Sequence, residues 1–171
     1  MFFISILLSM NKLVLNQSLK LFCDGSVNPQ SKIGYGAYFI LEDITEISLS
    51  SIQIMTKQFK NTSSTKLELE TLLWALGEVS TKYNDITVYT DCQNTMGLLS
   101  RRQRLEKDQF YSKSGKLLNN HLLYKEFYKI IDNIDCKFIK VKGHKQSLHK
   151  DMIDKLFTLV DKASRDALRN E

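Results

Sequence analysis

Four short segments each carry one carboxylate in apolar, structure-forming surroundings: Leu19-Lys-Leu-Phe-Cys-Asp24-Gly-Ser, Ser64-Thr-Lys-Leu-Glu68-Leu, Ile86-Thr-Val-Tyr-Thr-Asp91 and Leu156-Phe-Thr-Leu-Val-Asp161. Grouped carboxylates suit a hard divalent cation such as Mg²⁺, which takes oxygen ligands and keeps places for water and substrate phosphate. Two such ions about 3.5–4 Å apart can stabilise both the attacking and the leaving oxygen of a phosphodiester. That is nuclease chemistry. Singly, each acid has a plainer use. An aspartate at a strand end is usually a turn or cap residue, and the helix dipole favours any acid in a first turn, where Glu68 sits. Clustered, they would repel one another unless a cation neutralised them, and that shifts the balance toward a metal site.

The elements that must position these acids follow from periodicity. Leu19 to Cys23 alternates apolar and polar and stops at Asp24-Gly-Ser, a strand running into a turn. A second strand begins at Gly34-Tyr-Gly-Ala, and residues 46–60 offer a third; short connections make the three antiparallel. Ser63 or Ser64 can cap a helix on which Leu69, Leu72, Leu73, Leu76 and Val79 recur at helical spacing. On that helix Glu68 lies at the margin of the apolar face and Glu70 points mostly to solvent, so Glu68 is the acid able to reach inward.

Ile86 to Thr90 reads as a central parallel strand, and Asp91 opens a helix through Leu99. Residues 117–133 are helical by their apolar spacing, Cys136 to Val141 is the last strand, and a helix runs from about Asp151 to Leu168. Asp154 and Asp161 share a face of this helix but sit about 10 Å apart along its axis, so one of them reaches the site. Periodicity does not choose between them. The order predicts an α/β fold with one mixed five-stranded sheet, three strands antiparallel and two parallel.

Bulk properties narrow the class. A chain of 171 residues, 43% hydrophobic and 25% charged, supports one buried core and is short for two. A net charge of +5 suits a polyanionic partner. Cys23, Cys92 and Cys136 are odd in number, far apart and without zinc spacing, which points to reduced thiols and a cytoplasmic protein. Cys23 and Cys92 each adjoin one of the acids, and a small buried side chain at a strand end explains both. The apolar run Phe2 to Leu8 has no basic residue before it and no clear cleavage site after it, and it is too short to span a bilayer. Residues 1–18 are therefore expected to be an N-terminal extension, with Met10 an alternative start, and 19–169 a single catalytic domain.

Asp24-Gly-Ser before a Tyr-Gly-Ala strand, Thr65-Lys-Leu-Glu68-Leu, Tyr89-Thr-Asp91-Cys-Gln93, Val141-Lys-Gly-His144 and Val160-Asp161-Lys-Ala-Ser-Arg165 stand in the order found in ribonuclease H type I. The resemblance covers roughly residues 19–169. It implies the RNase H-like fold, with helices on both faces of the sheet, and an endonuclease cutting the RNA strand of RNA–DNA hybrids. It carries the four metal-binding acids onto Asp24, Glu68, Asp91 and Asp161, favouring Asp161 over Asp154 because Ala-Ser-Arg follows it. Onto His144 it carries a loop histidine that assists proton transfer or product departure. The loop between His144 and Asp161 is longer than is common in the family.

Two Mg²⁺ ions, or Mn²⁺ in their place, are the implied cofactors, one near Asp24 and Asp91, the other near Asp24 and Glu68, giving 5′-phosphate and 3′-hydroxyl ends. Selectivity for RNA must come from the 2′-hydroxyl. Its expected readers are Gly25 and Ser26 through their amides, the side chains of Asn28 and Gln93, and Ser64 and Thr65, which replace the family's usual asparagine pair. The family's basic handle is not present in its familiar form. Instead Arg101, Arg102, Arg104, Lys107, Lys113 and Lys116 crowd one segment, expected to bind the substrate backbone, with Phe110 and Tyr111 packing on sugar or anchoring the loop. A monomer is expected. The rival readings are a non-catalytic hybrid- or RNA-binding module, which clustered negative charge disfavours, and a transposase-like DNA nuclease on the same fold.

Overall fold

The computed structural model describes residues 18–44, 48–142 and 150–171. His144 and residues 1–17 of the expected extension lie outside them. Strands β1 (Leu19–Asn28), β2 (Ile33–Leu41), β3 (Met55–Lys60), β4 (Asp85–Thr90) and β5 (Asp135–Lys140) form one sheet in the order β3-β2-β1-β4-β5. The β1–β2 and β2–β3 pairs are antiparallel, and β1–β4 and β4–β5 are parallel. Helices α1 (Ser64–Val79), α2 (Gln93–Lys107), α3 (His121–Ile131) and α4 (Met152–Arg169) complete the described fold.

Strand alternation divides the core in two. Leu19, Leu21, Cys23, Ile86 and Val88 meet Leu69, Leu72 and Leu76 of α1, with Leu98 of α2 and Phe127 of α3 beyond them. On the opposite face Phe22, Ala37, Phe39 and Tyr89 meet Leu156, Phe157 and Val160 of α4. Phe22 stacks between Phe39 and Tyr89 with ring centroids 4.8 and 4.5 Å away, tying three neighbouring strands together on that face. Full burial of one such side chain contributes about 1.5–3 kcal/mol, so each helical layer is a large share of the stability.

The α1 layer packs closely on the β1–β2 hairpin, which offers it glycines. A Cβ at Gly36 would fall 2.2 Å from Thr71 Oγ1, one at Gly34 2.6 Å from Leu67 Cδ2, and one at Gly25 2.9 Å from Leu67 Cγ. Their missing side chains let the first two turns of α1, which carry Glu68, rest directly on the hairpin.

Several boundaries differ from the periodic reading. β1 does not stop at Cys23 but stays paired with β2 to Asn28↔Ile33. The turn comes there, where Asn28 Oδ1 accepts from the Gln30 and Ser31 amides at 2.9 and 3.3 Å. Among the described residues of the 46–60 stretch the strand begins at Met55, after a 3-10 turn at Leu49–Ser51. α2 continues past Leu99 to Lys107, through a polar stretch without apolar rhythm. α3 begins at His121 because Leu117 is taken by a bridge to Tyr111. Just before that bridge Gln109 and Phe110 adopt left-handed φ of 50° and 62°, a reversal that turns Phe110 into the core. Ser63 occupies the N-cap position of α1 without a side-chain capping bond.

Candidate active site

The parallel register of β1 and β4 builds the first half of the site. Their pairing ends at Phe22↔Tyr89, and two residues further on stand Asp24 and Asp91. Asp24 continues in β1, paired with Ala37 of β2, while β4 has ended. Asp24 is on the Phe22 face and faces α4, where the buried Ser164 Oγ lies 3.5 Å from Asp24 Oδ2 and 3.1 Å from the Asp161 carbonyl oxygen.

Glu68 comes from α1 over the other face. Its Oε2 accepts from the Cys92 thiol at 2.7 Å, beside Asp91. The other three acids lie near enough to Asp24 for their charges to bear on it. Burial pushes the Asp24 carboxyl up to about 7, with Asp91, Asp161 and Glu68 adding to the rise and the Gly25 amide opposing it. Burial also raises Glu68, with Asp91 adding, against the hydrogen bond from Cys92. Asp161 is paired with Arg165 at 2.7 Å, one turn along α4.

Asp154, the alternative fourth acid, takes part in the cap at the start of α4. It forms a reciprocal cap with Asp151: Asp151 Oδ1 accepts from the Asp154 amide at 2.8 Å, and Asp154 Oδ2 from the Asp151 amide at 3.1 Å. Glu70, expected to face solvent, accepts from Thr62 Oγ1 at 2.7 Å and pairs with Lys66 at 3.2 Å. The chain entering α1 folds back over that face, where the Thr62 amide donates to the Lys32 carbonyl.

As they stand, no three Asp, Glu, His or Cys side chains among the described residues close around a single point tightly enough to cage an ion. Glu68 is held by Cys92 and Asp161 by Arg165. The donor set nevertheless fits a hard divalent cation: it is all carboxylate oxygen, and a bound cation would offset the burial and the neighbouring negative charge that raise Asp24.

The residues expected to read substrate separate into three groups. Ser64 and Thr65 are exposed in the first turn of α1, and Gln93, exposed at the start of α2, accepts from Lys140 of β5. Gly25 and Ser26 lie within β1, and Asn28 has its side-chain oxygen engaged in the turn. The arginines diverge. Arg101 folds back on its own helix, donating to the Gly97 and Asn94 carbonyls at 2.9 and 3.0 Å. Arg102 forms a two-pronged pair with Asp132 at 2.5 and 2.8 Å, also bonds Glu106, and lies over the Tyr128 ring. Arg104 is exposed and lines a cleft of about 240 Å³ with Tyr111 and Lys113. Phe110 is buried, its ring under Lys125, and so anchors the loop.

Residues 16–161 match the family model described as RNase H. The chain belongs to the ribonuclease H family. Among solved structures it is similar to one described as the foamy viral protease-reverse transcriptase in complex with dsDNA. The TM-score is 0.64 at 12% identity, over 88% of this chain and 96% of that chain, a likeness of fold. A comparison with curated proteins gives no match. As a ribonuclease H the protein is an enzyme, a nuclease of RNA–DNA hybrids, from a family generally dependent on divalent metal. Among the described residues no helix is long and apolar enough to cross a membrane.

Sequence reasoning missed three neighbours of these candidate residues. Cys92 is buried, as its small size suggested, but it also bonds Glu68. Ser164 and Lys140 reach the site from α4 and β5. For Ser164 a signal existed: a serine one turn from an acid on an otherwise apolar face.

Proposed function

We propose that the protein hydrolyses the RNA strand of RNA–DNA hybrids through Asp24, Glu68, Asp91 and Asp161, leaving 5′-phosphate and 3′-hydroxyl ends. The observation that carries this reading is the placement of buried Asp24 where the strand pairing of β1 and β4 ends, near enough to Asp91, Asp161 and Glu68 for their charges to add to the rise that burial imposes on it. Asp24 and Asp91 would hold one divalent ion, Asp24 and Glu68 a second, with Asp161 completing the set. Bound there, Mg²⁺ or Mn²⁺ supplies an activated water and neutralises the departing 3′ oxygen.

The protein's own groups position the hybrid. Ser64, Thr65 and Gln93 are exposed beside the acids and suit hydrogen bonding to ribose and phosphate. The backbone of Gly25 and Ser26 follows Asp24 directly along β1. Arg104 and Lys113 offer charge to the phosphate backbone farther along. His144 would exchange a proton near the leaving group. Residues 19–169 would act as one monomeric catalytic domain after an extension of residues 1–18. The three free cysteines support a reducing, cytoplasmic setting.

The test is cleavage of strand-labelled RNA–DNA hybrid, duplex DNA and duplex RNA with Mg²⁺, followed by end mapping. Cutting is expected only in the RNA strand of the hybrid. Cleavage of duplex DNA at a comparable rate, or hybrid binding without cleavage, would overturn the proposal.

A further inference from the structure

We infer that Cys92 is a positioning residue for this reaction: its thiol holds the Glu68 carboxylate in the orientation needed to serve a divalent ion. The inference rests on the proposed metal-holding role of Glu68. Its basis is the saturation of the sulfur's hydrogen-bonding directions. Cys92 Sγ accepts from the Thr95 amide at 3.2 Å and from Thr95 Oγ1 at 3.1 Å. The Cys92 amide donates to Thr90 Oγ1 at 3.1 Å, fixing the residue at the cap of α2. With its lone pairs occupied, the thiol has one hydrogen left, and Glu68 Oε2 lies 2.7 Å away.

Thr90, Cys92 and Thr95 are 5%, 4% and 3% exposed, so water does not substitute for the links among them. The chain of bonds joins α1, carrying Glu68, to the β4–α2 junction, carrying Asp91. Without the thiol, a half-buried carboxylate beside Asp91 has every electrostatic reason to turn away. Packing alone would be satisfied by any small apolar side chain at this position. The donor is what packing does not require.

The experiment compares wild type, Cys92→Ala, Cys92→Ser, Glu68→Gln and the Glu68→Gln/Cys92→Ala double variant. The readouts are calorimetric titration with Mn²⁺, the Mg²⁺ dependence of hybrid cleavage, and melting temperature. Removing a group that orients a metal ligand typically weakens metal affinity about 10–100-fold, and Cys92→Ala is expected near the lower end. The Mg²⁺ concentration for half-maximal cleavage should rise in parallel, while the rate at saturating metal stays within about threefold. Cys92→Ser keeps both donor and acceptor and should restore the affinity. In the Glu68→Gln background, Cys92→Ala should change affinity no further. If the alanine variant does not fold, Cys92→Val fills the space without the donor and should show the same loss.

Wild-type Mn²⁺ affinity in Cys92→Ala or Cys92→Val, with Glu68→Gln weakened, would reduce Cys92 to packing. A serine variant as weak as alanine would overturn the donor role. If Glu68→Gln itself binds Mn²⁺ normally, the metal-holding role of Glu68 fails, and the inference with it.

Discussion

The chain carries two clusters of like charge, and they differ in how they are assembled. The basic cluster is dense in sequence, with Arg101, Arg102 and Arg104 within four positions. In space it disperses: one side chain lies along its own helix, one is locked to Asp132, and one projects into a cleft. The acidic cluster is sparse in sequence, with Asp24 and Asp161 at opposite ends of the described fold, yet the charges of Asp91, Asp161 and Glu68 all add to the rise that burial imposes on Asp24. Neighbours on a helix diverge by about 100° per residue, so local density disperses charge around the axis. Only topology concentrates charge from distant segments, against a real free-energy cost. Such a cost points to function, whereas crowding along a helix is ordinary surface chemistry.

The sharpest way to break this comparison is to remove one member of the convergent set. Asp24→Asn should reduce hybrid cleavage to background while circular dichroism shows an intact fold. Hybrid affinity measured without metal should hold or rise, because a negative charge beside the phosphates is gone. Near-normal turnover with Mg²⁺ would mean that convergence is not catalysis.

A second effect is thermodynamic and its sign follows from Asp24. Its carboxyl titrates near 7 in the fold, above an ordinary aspartate, so the folded state holds the proton longer than the unfolded chain. Stability from this group is complete below the unfolded pKa of about 4 and is lost as pH rises through about 7. In chelator, urea unfolding should therefore show wild type losing about 2–4 kcal/mol more between pH 5 and pH 8 than Asp24→Asn does. Glu68, also raised, acts in the same direction. Mg²⁺ at pH 8 should restore wild type and leave the variant unchanged. Equal pH slopes for the two proteins would remove the repulsion on which the comparison stands.

Two acids on α4 allow a smaller test. Asp161→Asn should lower activity about 10–100-fold with little change in melting temperature. Asp154→Asn weakens a reciprocal cap and should cost about 1 kcal/mol of stability with activity retained. The reverse pattern would move the fourth acid two turns toward the helix start.

What was legible in advance follows the same division. Asp24 and Asp91 stand out in the sequence because each follows an apolar run, and helical phase distinguishes Glu68 from Glu70. Phase could not separate Asp154 from Asp161, which lie on one face; the difference is a cap formed with Asp151 and a charge felt by Asp24. Asp24 read as a strand terminus because Gly25-Ser26 has the composition of a turn, yet the glycine is there to admit Leu67. The length of α2 was invisible because its second half has no apolar rhythm. The bond between Arg102 and Asp132 spans 30 residues and leaves no local trace. His144 lies outside the described residues.

The smallest effect concerns the basic segment. Arg102 is held by two carboxylates and an aromatic ring, so Arg102→Ala should lower the melting temperature while leaving hybrid affinity near wild type. Arg104 has an open cleft beside Lys113, so Arg104→Ala should raise the Michaelis constant severalfold without changing stability. A lost phosphate contact also means one fewer counterion released on binding. The slope of log affinity against log salt should therefore become shallower by about 0.7–0.9 in Arg104→Ala and stay unchanged in Arg102→Ala. If Arg102→Ala flattens the slope as much, Asp132 yields the guanidinium to the substrate, and the basic cluster acts together after all. If neither variant does, the segment is a solvated surface and the hybrid is held elsewhere, with Lys140 beside Gln93 the next residue to replace.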